Sequence, residues 1–282
     1  MNPELYREHK LPPSLRPYFR RVLIALTDEA VDIKTEAKAT GYPFLGWLRR
    51  GRGKAFLQEV KIFDSQECDF HVSGQIDNAE IRIEFTGALV HILVEFSALG
   101  HHLYLGVPAI ETTNRCTQPT SETFSAIQRE LSFAKAPQTH ADFAHLFLSI
   151  LQKHIPKARQ LPPYLHAALK QMERNDGACR IDELAKKVGV SERQLRREFQ
   201  RSVGLSPKTF CNILQVNTAF FALLNKSPQA LSALALECGF SDQAHLTHAF
   251  QKFLGDSPMS ISNKGEALLA RFVGHCRAQN NS

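Results

Sequence analysis

The chain has 282 residues, of which 43% are hydrophobic and 22% charged, and a formal net charge of +6. That is enough apolar material for two ordinary domains with a core each, and the mild basic bias admits an anionic partner without requiring one. No apolar run approaches the ~18 residues a membrane span needs, and the opening MNPELYREHKLPP lacks a signal-peptide core, so the reading is a soluble, cytoplasmic protein with no membrane partner. Six scattered cysteines (Cys68, Cys116, Cys179, Cys211, Cys238 and Cys276) show neither CxxC nor zinc-type spacing and read as reduced thiols.

In chain order, the first predicted elements are short β-prone runs, Val22–Leu26, Ala55–Phe63, Ile81–Phe85 and Leu89–Phe96, punctuated by Gly, Asp and Asn. They predict an antiparallel β-rich domain. A helix is expected from Asp142 to His154, where Phe143, Leu146, Phe147, Ile150 and Leu151 recur at helical spacing. Two proline breaks in IPKARQLPP then mark a linker, and everything beyond it has helical periodicity. The expected division is therefore a regulatory domain over 1–154, a linker over 155–164, a helical domain over 165–264 and a tail over 265–282.

Within the helical half, VSERQLRREFQRSVGLSP carries Leu195 and Phe199 on one helical face and Arg193, Arg196, Arg197, Gln200 and Arg201 on the opposite one. Ser191 and Gln194 have capping-box spacing, and Gly204 is a stop signal. Glu192 and Glu198 lie at the flanks, so the arginines are not expected to be absorbed in i,i+4 ion pairs. A charged face of this kind is, by itself, what any solvated helix shows.

An internal repeat changes that reading. Leu184, Ala185 and Gly189 recur as Leu234, Ala235 and Gly239; Leu195, Phe199, Gly204 and Pro207 recur as Leu246, Phe250, Gly255 and Pro258, with a one-residue slip in the turn. Each copy is a short helix, a glycine-bearing turn and a longer helix, which is the helix-turn-helix plan. Between the copies, Ser206 and Pro207 start one continuous helix to about Leu224, long enough at ~1.5 Å per residue to hold two reading helices in successive major grooves.

IDELAKKVGVSERQLRREFQRSVGLSP and ALALECGFSDQAHLTHAFQKFLGDSP resemble the paired helix-turn-helix domain of AraC/XylS-type bacterial transcriptional regulators, over roughly Leu165 to Lys264. PPSLRPYFRRVL, FHVSGQI and LYLGVPAIE are similar to a β-rich sensor-like domain of some members. The fold class this implies is α+β with two domains: a β-rich N-terminal sensor domain, with a cupin-like fold as one form, followed by an all-α double helix-turn-helix domain. The resemblance implies a one-component, sequence-specific regulator that binds double-stranded promoter DNA, with RNA polymerase as a partner; a small-molecule effector and a homodimer remain open.

The DNA-binding residues expected on this basis are Arg193, Gln194, Arg196, Arg197, Gln200 and Arg201 in the first copy and Gln243, Ala244, Thr247, His248, Gln251 and Lys252 in the second. The resemblance places Arg193, Arg196 and Arg197 against bases, where arginine can bond O6 and N7 of guanine together; Arg201, further along the helix, is expected against phosphate. The second copy departs from the first: His248 stands opposite Arg197, Gln215 holds a connector position where the family often has arginine, and Ser262 stands where an arginine often ends the motif.

Other candidates have plainer readings. His71, His91, His101, His102 and Glu95 lie near β-prone runs, but the HxH pairing of a metal-binding strand is missing and adjacent His101 and His102 would diverge if extended, so no metal and no cofactor are expected. Cys211 and Cys238 read as small core residues; Cys68 and Cys116 leave a redox-responsive thiol open. Trp47 in YPFLGWLRRG fits a local core or a dimer contact better than a ligand pocket. No GxSxG, phosphate loop or HExxH occurs, so no catalytic residue is assigned and the protein is read as no enzyme. The alternative function is an N-terminal enzyme or thiol-redox sensor fused to a DNA-binding domain; a non-specific architectural DNA binder fits the modest charge less well.

Overall fold

The computed structural model describes residues 5–65, 67–78, 81–119, 121–134, 137–157, 159–225 and 230–264, with the side chains of 262–264 outside that description. The expected tail over 265–282 and Cys276 lie outside the described residues. The chain forms two compact units: one runs to Arg159, and the other holds the helical remainder together with the short segments 38–41 and 76–79.

The first unit is built on β1 (Tyr6–His9), β2 (Phe19–Ala37), β3 (Phe44–Leu57), β4 (Val60–Ser65), β5 (Asp69–Ser73), β6 (Ile81–Phe96) and β7 (Cys116–Thr117). They pair antiparallel in the order β1-β2-β6-β3-β5-β7, with β4 added on β3. All four expected runs change in the folded chain. Val22–Leu26 lies in the first half of the 19-residue β2. Ala55–Phe63 is no single strand: Gln58 (φ 47°) and Glu59 (φ 65°) are left-handed, which closes a two-residue hairpin with Leu57 opposite Val60. Ile81–Phe85 and Leu89–Phe96 are one strand, because Gly87 at φ 91° carries β6 through the bend that separates them in sequence.

Three helices follow, α1 (Gly100–Leu105), α2 (Glu122–Phe133) and α3 (His140–Lys153). The last starts two residues before the expected Asp142, because Thr139 is its N-cap and accepts from the Asp142 amide at 3.2 Å. Strand alternation sends Val22, Ile24, Leu45, Trp47, Phe70, Val90 and Ile92 into one core with Phe124 and Ile127 of α2 and Phe143 and Phe147 of α3. Trp47 is a core residue: it is 2% exposed and its ring stacks on Phe147 at 5.8 Å. Alternate positions bury a bidentate pair, Arg21 Nε and Nη2 donating to Glu95 at 2.9 and 3.0 Å, with Arg20 donating to the same carboxylate at 3.0 Å.

The second unit holds α4 (Pro163–Arg174), α5 (Ile181–Lys187), α6 (Glu192–Val203), α7 (Pro207–Asn225), α8 (Leu231–Glu237), α9 (Gln243–Leu254) and α10 (Pro258–Lys264). Pro163 is the first residue of α4, a position that has no intrahelical N–H partner to lose. Leu195, Phe199, Phe210, Ile213, Phe220, Leu246 and Phe250 are at most 1% exposed and form the apolar interior of the unit.

Candidate nucleic-acid interface

The repeat read from the sequence is a repeat of local structure. In the first copy α5 is followed by Gly189 at φ 76°, with Val190 N donating to Ala185 O at 3.0 Å; in the second α8 is followed by Gly239 at φ 80°, with Phe240 N donating to Ala235 O at 2.9 Å. Both are the 6→1 closure of a left-handed helix terminus, where a side chain would strain the backbone. The copies differ by one residue between that glycine and the next N-cap, Ser191 in one and Asp242 in the other. Ser191 Oγ accepts from Gln194 N at 3.2 Å and Asp242 Oδ1 from His245 N at 2.8 Å. Each second helix then runs 12 residues and stops at a left-handed glycine, Gly204 at φ 89° and Gly255 at φ 77°.

Leu195 and Phe199 pin α6 to the interior, and the opposite face is turned to solvent. Arg193, Gln194, Arg196, Arg197 and Arg201 are exposed and Gln200 is half-buried. The Arg193 and Arg201 side chains have no hydrogen bond or ion pair among the described residues. Arg196 and Arg197 are engaged, against expectation: Arg196 Nη2 meets Glu192 Oε1 at 2.8 Å, four residues back, and Arg197 Nε meets Glu198 Oε1 at 3.3 Å. The i,i+4 spacing stacks Glu192 beneath Arg196 on one side of the helix, which the flank argument overlooked. Such exposed pairs are worth about 0.2–1 kcal/mol and yield readily to a phosphate or a guanine edge. The capping box is also only half formed, since the Gln194 side chain reaches Tyr164 of α4 at 3.5 Å. Tyr164 was not among the expected residues; nothing in its local sequence ties it to a helix so far along the chain.

On α9, Leu246, Ala249, Phe250 and Phe253 face inward, and Gln243, Ala244, His248, Gln251 and Lys252 are exposed with Thr247 half-buried. The twelve predicted residues thus fall on the outer faces of two equivalent helices, six on each. The Thr247 hydroxyl donates back to Gln243 O at 2.9 Å, leaving its methyl and lone pairs to a partner. The Asp242 cap donates no proton and its carboxyl is held below the ordinary carboxylate range, first by its backbone bond to His245 and then by Ser241.

The connector is α7, 19 residues from Pro207, started by Ser206 Oγ accepting from Thr209 N at 3.0 Å. Gln215 is buried at 4% and donates from Nε2 to Cys238 O at 3.1 Å and Gly239 O at 3.0 Å. It therefore closes the carbonyl end of α8 and fixes the second turn on the connector.

The remaining candidates resolve into structural roles. His101 and His102 are on α1, so their divergence as extended residues does not arise; His101 Nε2 meets Thr112 Oγ1 at 3.0 Å and His102 Nδ1 meets Val107 O at 2.8 Å. His71 and His91 face each other with ring centroids 5.1 Å apart, and Tyr6 Oη lies 2.7 Å from His91 Nδ1. Burial pushes His71 down to about 4 and His91 well below the ordinary imidazole value, so both are neutral near pH 7. Glu95 is held by Arg20 and Arg21 instead, and no group of three potential metal ligands lies together among the described residues. Burial pushes the Cys116 thiol up to about 12, which disfavours its thiolate, and Cys68 Sγ accepts from Arg49 Nη1 at 2.9 Å. Cys238 is buried as expected; Cys211 is buried too, but its sulfur lies 3.5 Å from that of Cys179. No helix among the described residues is long and apolar enough to cross a membrane.

Two helix-turn-helix units on one connector, each with a polar outer helix, define the class of a double helix-turn-helix DNA-binding domain. Residues 184–264 match the helix-turn-helix domain family, and this C-terminal region is of the AraC type. The transcriptional regulator MtrA of Neisseria gonorrhoeae is 30% identical over 100 residues, 36% of this chain and 33% of that protein. The transcriptional activator RhaS of Citrobacter koseri is 32% identical over 88 residues, 31% of each. The chain spans about a third of the length of the curated relatives it matches. Among solved structures, ToxT from Vibrio cholerae aligns over 86% of this chain and 98% of its own with a TM-score of 0.47 and 10% identity.

Proposed function

We propose that the chain is a sequence-specific transcriptional regulator that lays α6 and α9 in successive major grooves of promoter DNA. The observation that carries this reading is the duplication itself: two helices with matched caps, matched left-handed stops and matched inward residues, each presenting six polar or small residues outward from a single connector. Arg193 and Arg197 supply base readout, Arg201 supplies phosphate contact, and Ala244, Thr247 and His248 give the second groove weaker, partly apolar contacts to a thymine methyl. The β-rich unit receives the signal, a small-molecule effector being one form of it, and the regulator acts in the cytoplasm on RNA polymerase, alone or as a homodimer. No catalytic step is part of this reading.

The test is selection of bound DNA from a random duplex library with the full chain. Two blocks of base preference about one helical turn (~10–10.5 bp) apart, the stronger lost in Arg193→Ala/Arg197→Ala, is the expected result. Recovery of unselected DNA, with affinity falling steeply in salt and no block emerging, would make the protein a non-specific binder.

A further inference from the structure

The turn between α4 and α5 is pressed against the connector. Asp176 (φ 49°) and Gly177 (φ 80°) reverse the chain, and a Cβ on Gly177 would lie 2.1 Å from the carbonyl oxygen of Cys211, so only glycine lets the turn's backbone seat on that of α7. Two residues on, Cys179 Sγ sits 3.5 Å from Cys211 Sγ. Cys179 is half-buried, whereas Cys211 is 1% exposed. A disulfide needs ~2.05 Å, so the sulfurs must close by roughly 1.5 Å, which rotation of Cys179 at a turn can supply in large part.

We propose that Cys179 and Cys211 form a reversible disulfide on exposure to hydroperoxides, and that this bridge is a covalent clasp on the first reading unit. Its position gives the clasp a purpose that an arbitrary thiol pair would lack. Cys179 precedes α5 and Cys211 lies in the first turns of α7, so the closed ring contains the whole of α5 and α6 and links its two ends.

The two thiols are also chemically unequal. The contact between the two sulfurs lowers Cys179, with Lys208 adding to it, whereas the same contact and burial raise Cys211. Cys179, the more exposed of the two sulfurs, is therefore the one that attacks as thiolate. Its sulfur takes one oxygen of the hydroperoxide ROOH, giving a sulfenic acid and releasing ROH after protonation. The Cys211 sulfur then displaces that oxygen as water with loss of its own proton. Two thiols lose two electrons and the peroxide gains them: 2 RSH plus ROOH gives the disulfide, ROH and H₂O. A small dithiol reverses the step by exchange.

The experiment uses the full chain with Cys68→Ser and Cys276→Ser, treated with hydrogen peroxide and then with dithiothreitol. The expected result is a mass loss of two hydrogens, one peptide pair joining Cys179 to Cys211, restoration by dithiothreitol, and a raised Tm for the oxidised helical unit. Cys179→Ser and, separately, Cys211→Ala must each abolish the bridge; the second fills the buried site with an apolar group, so that loss of folding is not confused with loss of the thiol. In the reduced chain Cys179 should alkylate at least tenfold faster than Cys116. A stable sulfinic acid on Cys179 with no bridge, or a bridge that leaves Tm unchanged, overturns the proposal. DNA affinity measured on the same samples separates it from the regulator reading: the bridge stands or falls by mass and Tm even if neither form selects DNA, while a threefold or greater change in affinity on oxidation joins the two.

Discussion

α6 and α9 are the same helix built twice, and they differ chiefly on the side that faces out. Inward, Leu195 answers Leu246 and Phe199 answers Phe250; at the ends, Ser191 answers Asp242 and Gly204 answers Gly255. Outward, α6 carries four arginines against Glu192 and Glu198, whereas α9 carries one lysine, two histidines and no acid. The comparison teaches that the scaffold needs only a few positions, all of them apolar, capping or left-handed, and leaves the reading surface free to diverge. Gln215 belongs to the scaffold rather than the reading surface: it binds the second turn through two carbonyls.

If the scaffolds are equivalent, Phe199→Ala and Phe250→Ala should each destabilise the helical unit by about 3–5 kcal/mol, as large-to-small changes in a packed core do. Urea unfolding followed by helical signal measures both. A cost in one copy less than half that in the other would break the equivalence. The next effect separates the surfaces. Arg197→Ala should weaken cognate binding by about 1–3 kcal/mol and relax one base preference, while His248→Ala, at the matching position, should change it by less than about 1 kcal/mol; Arg201→Ala should weaken all duplexes alike and reduce the salt slope by about one. Competition titrations with single-base variants of the site decide it, and equal losses at Arg197 and His248 would show that the two surfaces read alike.

The smallest effect lies in the caps. Asp242 is held below its ordinary value, so its contribution is complete above about pH 3.8, the unfolded value, and is lost as pH falls through the lower folded one; Ser191 does not titrate. Amide exchange by NMR should show the His245 amide losing protection as pH drops below 4 while the Gln194 amide keeps its own. Parallel behaviour of the two amides would remove the carboxylate as the cause.

The helical half is the more legible because its determinants are local: a cap, a period and a glycine stop lie within a few residues of one another, and their recurrence exposes the whole unit. The one-residue slip could even be placed in the turn, where it lies between Gly239 and Asp242. The β-rich half depends on pairings between distant segments. Gly87 looks like a break and is a bend within β6, and the Gln58–Glu59 turn contains none of the usual turn residues, so one apparent strand conceals a hairpin. α2 went unforeseen although Ser121 caps it and Phe124, Ile127 and Leu131 space its buried face, because the segment is otherwise polar. Side-chain partnerships were the least accessible of all: that His71 meets His91, or Cys179 meets Cys211, depends on register and turn geometry that no spacing in the sequence records.

The pairing of β2 with β6 bears on how the protein is made. Phe19 sits opposite Phe96 and Ala37 opposite Ile81, so the central ladder of the sheet cannot zip until both strands have left the ribosome. Its apolar face then waits for Phe124, Phe143 and Phe147, the last of which follows Trp47 by a hundred positions. α5 and α6, by contrast, need only their own neighbours and can close as soon as they emerge. The half synthesised first thus closes its core only when nearly all of it has emerged, and during that interval a nascent chain exposes Trp47, Phe70 and Ile92 to whatever holdase stands at the exit tunnel.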